Sequence, residues 1–215
     1  MKKGNFRWPR KEDDPFPENI FTPQSRTWVN LEWLKWSFND ASFAQAFKEA
    51  ADKIIKQLSK KGNRRHPDML FMPIAYLYRH GLELQLKQII KLGMDLGVVE
   101  DNKKLRDTLS CHNLHRLWNC VKKVIDELDS ESSSTKDFSS AEQIILGFHF
   151  MDMSGQALRY PKSLSEEKPG GDLPKFVELK HLQEVYDGLF NFLTGIECYL
   201  KNALDTLSDI PSSGY

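Results

Sequence analysis

Between Leu182 and Leu207 apolar residues return at helical spacing for about eight turns: Leu182, Tyr186, Leu189, Phe192, Ile196, Tyr199, Leu200, Ala203 and Leu207. An amphipathic helix of that length demands partner helices to cover its stripe. Four further segments can supply them. Phe43, Phe47, Ala50, Ile54 and Leu58 draw one stripe on a helix over about 41–58, capped by Asn39 or Asp40. A second helix is expected over 68–92, with Asp68 as its cap, Pro73 near its first turn and Gly93 and Gly97 as its stop. A third begins near His112 or Asn113 and carries Leu114, Leu117, Trp118, Val121, Val124, Ile125 and Leu128 on a regular pattern. A fourth opens on the capping box Ser139-x-x-Glu142 and turns Ile145, Phe148 and Asp152 to one face. It ends near Arg159-Tyr160, because Pro161 pushes Tyr160 out of helical geometry. Strand alternation and internal repeats are absent from the sequence. The expected fold is all-α: a five-helix, up-and-down bundle over 39–208.

The flanks read differently. Residues 1–38 form an irregular arm in which Pro9, Pro15, Pro17 and Pro23 prevent long helix. The arm carries Phe6, Trp8, Phe16, Phe21, Trp28, Trp33, Trp36 and Phe38, far more aromatic surface than a disordered tail should have. It is expected to wrap the body or to dock a protein partner. Residues 209–215 are a short tail.

Charge and cysteines narrow the function classes. Lys and Arg number 30 and Asp and Glu 30, which excludes a polycation that coats nucleic acid but not a local basic patch. The loop with Lys60, Lys61, Arg64 and Arg65 is the candidate nucleic-acid patch, and it reads equally as a solvated loop. P-loop, dinucleotide and G-x-S-x-G signatures are missing. Cys111, Cys120 and Cys198 are too few and too scattered for a disulfide framework. Cys111 and His115 could share a helix face, but Cys120 falls about 180° around from Cys111 and no CxxC pair completes a tetrahedron. No metal and no cofactor is expected. The first residues lack an apolar run, and Met69–Tyr78 is too short to span a bilayer, so a cytoplasmic protein without a membrane segment is expected.

The second helix carries a polar line along one face: Tyr76, His80, Glu83 and Lys87, flanked by Arg79. It could be a solvated face. The rest of the helix is so broadly apolar that it belongs at the centre of the bundle, where polar side chains must pair or line a cleft. His112, Asp152 and Arg159 are the natural additions to this seam. His112 stands at the mouth of the third helix, Asp152 sits on an otherwise apolar face, and Arg159 precedes a proline turn. Arg79 is expected to pair with Glu83, and Arg159 with Asp152.

These segments resemble a known family. Arg79-His80-Gly-Leu-Glu83-Leu-Gln-Leu-Lys87 is similar to the R-H-x-x-E-L-x-L-K helix of bacterial HEPN-like helical-bundle proteins. His112-Asn-Leu-His-Arg-Leu-Trp118 resembles their H-x-L-x-x-L-W helix start. Asp152 followed by Leu158-Arg159-Tyr160-Pro161 resembles their D…F-R-Y-P segment, and Val177-Glu178-Leu179 their V-D-L, with Glu for Asp. The match covers about residues 68–205. It implies a HEPN-like bundle, commonly a homodimer, and a ligand-binding seam of Tyr76, Arg79, His80, Glu83, Lys87, His112, Asp152, Arg159 and Tyr160. The family includes metal-independent ribonucleases of toxin, CRISPR and phage-defence systems as well as non-catalytic members. Their nuclease signature is an Arg followed by a His after four to six intervening residues, usually near the last helices. Here the last long helix has no arginine, and its one histidine, His181, is at its start. The resemblance therefore implies a non-catalytic or weakly catalytic module that binds nucleotide or RNA, in a phage-defence or toxin–antitoxin and stress setting. The alternatives are a metal-independent RNA endonuclease with a displaced site, for which Arg106, His112 and His80 are the candidates, and a structural protein-interaction module.

Overall fold

The computed structural model describes residues 39–60, 67–128, 136–155, 158–159 and 176–208. Among them the chain is all-helical, with six helices: α1 (Asp40–Leu58), α2 (Pro67–Asp95), α3 (Lys103–Ser110), α4 (Leu114–Leu128), α5 (Lys136–Met151) and α6 (Leu179–Ser208). The aromatic arm, the loop 61–66 with Lys61, Arg64 and Arg65, Tyr160 and the tail 209–215 lie outside the described residues. No described helix is long and apolar enough to cross a membrane.

α2 is the central element. It packs against α1, α4 and α6, while α5 packs on α4 and α6. Its buried residues point nearly all round, from Ile74, Tyr78 and Leu82 to Leu86, Ile89 and Ile90. α1 crosses it closely at Gly81, where an added Cβ would lie 3.1 Å from the Ala44 carbonyl. That approach explains a shift in the α1 face. Ala44, Ala51 and Ile55 are buried, Ile54 and Leu58 pack at the edge, and Phe43 is exposed. Of the bulky residues expected on this stripe, Phe47 stays half-buried against α2, its ring edge-on to His80, while Phe43 turns outward. In α6 the buried line is Tyr186, Leu189, Leu193, Ile196 and Leu200, whereas Tyr199 and Leu207 face solvent.

Helix ends follow local chemistry. Asn39, not Asp40, caps α1 by accepting from the Ser42 N–H. α2 begins at Pro67 rather than after an Asp68 cap, a position where a missing N–H costs nothing. It stops in a Schellman turn: Val98 N–H donates to the Gly93 carbonyl and Gly97 N–H to Met94, with Gly97 at φ +72°. α3 was not foreseen; Asn102 caps it through the Leu105 N–H. Asn113 caps α4, its side chain accepting from the Arg116 N–H. Glu178 caps α6 by accepting from the Lys180 and His181 N–H groups.

α5 departs most from expectation. It starts at Lys136, so Ser139 and Glu142 lie inside it, and Glu142 pairs with Lys122 of α4 at 2.7 Å instead of closing a capping box. It ends at Met151, well before Arg159. Asp152 is the first residue past the helix, and its carbonyl accepts from Arg79 Nε at 3.1 Å. The chain then turns through Gly155 at φ +74°, a conformation that glycine adopts without strain.

Candidate functional site

Arg79 organises the seam. Its side chain is almost fully buried, and each guanidinium nitrogen has a partner. Nε donates to the Asp152 carbonyl, Nη1 to Glu83 Oε2 at 3.3 Å and Nη2 to the His112 carbonyl at 2.7 Å. The Asp152 carboxylate lies 3.6 Å from Nε. One fork thus ties α2 to the start of α4 and the end of α5. The planar, five-donor geometry of arginine is what permits three separate acceptors.

Glu83 is the second hub. Its carboxylate is 1% exposed and receives Arg79 on one oxygen. Lys87 Nζ at 2.8 Å and His112 Nδ1 at 2.9 Å share the other. Burial pushes the Glu83 carboxyl up, but the hydrogen bonds from Lys87 and His112 together outweigh it, and its pKa lies below the ordinary glutamate value. An ionised carboxylate only accepts, so His112 donates through Nδ1. The ring's other nitrogen, Nε2, has no hydrogen-bond partner among the described residues, and 45% of the side chain is exposed. The bond to Glu83 therefore fixes the orientation of a half-exposed imidazole.

The mouth around His112 is completed from α2 and from the segment after α5. His80 stacks parallel to Tyr76 with ring centroids 5.7 Å apart and meets Phe47 edge-on. Burial lowers the His80 pKa, and the charges of Arg159, Lys87 and His112 add to that, against Glu83. The Arg159 guanidinium lies over the Tyr76 ring, 5.1 Å from its centroid. The backbone is tight here: a Cβ on Gly155 would sit 2.7 Å from His112 Cβ and 3.4 Å from Arg79 Nη1.

The described members of the seam thus come together: Tyr76, Arg79, His80, Glu83, Lys87, His112, Asp152 and Arg159. One pairing differs from expectation. Arg79 takes both carboxylates, and Arg159 is exposed on the tyrosine face. The cause is the early end of α5, which leaves Arg159 beyond a non-helical turn rather than on the helix that carries Phe148. Arg106 stands apart. It is exposed and holds Asp101 with two bonds of 2.7 Å, and no hydrogen bond or ion pair joins it to His112. Lys60 is exposed just past the end of α1. Gly155 was missed; its only sequence signal is a glycine shortly after an apolar helix. Among the described residues no cluster of His, Cys, Asp and Glu could hold a metal ion.

These groups make acid stability a two-stage property. His80 and His149 have pKa values depressed below 6.5 by burial, so each favours the neutral form in the folded state. Their stabilising contribution is complete above pH 6.5 and is lost as pH falls through their folded values. Glu83, depressed below 4.5, is fully stabilising above that pH and loses its contribution further down. Thermal melts should therefore decline in two stages between neutral and acid pH. Glu83→Gln should flatten the lower stage and carry the His80 part of the upper one further toward acid, because the Glu83 charge holds the His80 value up; a melt independent of pH over this range would contradict the burial of all three groups.

Comparison of this chain with family models, with curated proteins and with solved structures finds no match.

Proposed function

We propose that the chain is a HEPN-like, up-and-down helical module that binds the phosphate of a nucleotide or RNA at the mouth of the seam. The observation that carries this reading is the Glu83–His112 pair: a buried carboxylate fixes a half-exposed imidazole whose Nε2 has no hydrogen-bond partner among the described residues. Arg79, Lys87 and Arg159 bring three cations against the two carboxylates Glu83 and Asp152, so the mouth is biased toward an anion. Arg79 has every nitrogen engaged and acts by positioning. Arg159, Lys87 and the His112 imidazole are the groups that would touch the phosphate, with Tyr76 and His80 as a stacked apolar edge beneath a base.

Binding of ATP and of short single-stranded RNA to the intact chain tests this reading. His112→Ala and Arg159→Ala should each weaken one of these ligands at least tenfold while the melting temperature stays within about 3 °C, since both side chains are exposed. Unchanged affinity in both variants contradicts it. For the endonuclease alternative, His112 would serve as acid and base, and Arg159 rather than Arg106 would be the arginine beside it. A second, structural reading draws on the burial of Arg79, Glu83 and Asp152, each 2% exposed or less. In it the same network is a keystone only, and neither ligand binds.

The module is further proposed to act as a homodimer through α6, whose exposed Tyr199 and Leu207 extend its apolar face beyond the core. Light scattering at tens of micromolar should give twice the chain mass. A monomer mass contradicts the pairing.

A further inference from the structure

A different polar surface lies between α3 and α4, where the two helices leave a groove of about 720 Å³. Lys103 and Lys104 line it from α3 and Arg116 and Lys123 from α4, and Asp107 is the one carboxylate among its described lining residues. All four cations are exposed. None makes a side-chain ion pair or hydrogen bond among the described residues, unlike Lys48, Arg79, Lys87, Lys122 and Lys201, which carboxylates hold. Arg116 and Lys123 are seven residues apart on α4, about 10 Å along its axis. Cys120 lies between them on α4 and lines the groove together with Lys104 and Lys123.

Four like charges around one groove repel each other, and a polyanion relieves that repulsion. The spacing suits several phosphates in a row rather than a single anion. Among the described residues the groove lining has no aromatic side chain on which a base could stack. We infer that the α3–α4 groove binds a chain of phosphates, carried by single-stranded RNA or by a nucleoside polyphosphate, without reading base identity. None of these residues belongs to the seam, so this inference stands apart from the reading above.

Anisotropy of a fluorescent oligouridylate with the intact chain tests it, with unlabelled oligouridylate, ATP and tripolyphosphate as competitors. Lys104→Glu with Lys123→Glu should weaken binding at least tenfold with an unchanged melting curve, and the Gln pair should fall between. Contact with four phosphates gives a log–log salt slope of about −3, hence a loss of about fifty-fold between roughly 50 and 200 mM salt. Displacement by ATP or tripolyphosphate assigns the groove to a nucleotide's phosphates; displacement by oligouridylate alone assigns it to a nucleic-acid backbone. Either supports the groove. Wild-type affinity in both charge variants, or no binding of any of the three phosphate compounds, overturns it. A loss confined to His112→Ala also overturns it while leaving the seam reading intact, and a loss confined to the groove variants does the reverse.

Discussion

Arg79→Met is expected to lower stability by about 3–5 kcal/mol, because it leaves Glu83 and Asp152 buried without the guanidinium that faces both. In a domain of this size that is a fall of about 6–20 °C in melting temperature. Two further bonds go with it: the His112 and Asp152 carbonyls lose their donor, and with it the link from α2 to the start of α4 and the end of α5. Arg79→Lys keeps the charge but cannot serve three acceptors in different directions, so an intermediate loss is expected. Combining Arg79→Met with Glu83→Gln should cost less than the sum of the two, since the second change removes a buried carboxylate that the first leaves held by Lys87 and His112 without the guanidinium. Arg159→Ala should cost less than about 1 kcal/mol, as its guanidinium rests on Tyr76 in solvent. Near-equal melts for the Arg79 and Arg159 variants would show that the network is not buried.

Trp118→Ala carries the second large effect, about 3–5 kcal/mol. The ring is fully buried on α4, and its centroid lies 5.9 Å from that of Phe138 on α5. Phe138 in turn meets Phe192 of α6 edge-on, so the truncation opens a cavity where three helices join. Trp118→Phe should cost much less. The buried indole N–H has no hydrogen-bond partner among the described residues, so its removal should cost little beyond the lost volume. Urea titration of both variants separates these terms. An alanine variant no weaker than the phenylalanine one would mean that the pocket collapses without loss.

The helices that were legible in the sequence are those whose apolar period runs long. α4 shows this best: Leu114, Leu117, Trp118, Val121, Val124 and Ile125 were read as its inner face and are buried. α3 escaped because eight residues hold only Leu105 and Leu109, too few for a period, although Asn102 was a cap in plain view. The α1 stripe was displaced because large side chains outweigh alanines in a pattern, whereas close helix contact favours the alanines. Within the seam, the i, i+4 contacts of Glu83 with Arg79 and Lys87 are local and could be read directly. The reach of Arg79 to the His112 carbonyl spans 33 positions and depends on where α5 ends. That end is set by a turn through Gly155 which no periodicity encodes. The basic groove was hidden for a related reason: Lys103 and Arg116 face one groove only once α3 exists.

Ring-nitrogen NMR of the histidines in the intact chain, titrated with ATP and with short single-stranded RNA, tests the phosphate site at the seam most directly. His112 sits half-exposed at the mouth, His80 lies beside it on Tyr76, and His181 is exposed at the start of α6. Saturable shifts at His112 and His80 with His181 unmoved are the predicted result. No shift at His112 with either ligand, or a shift at His181 alone, would contradict the account.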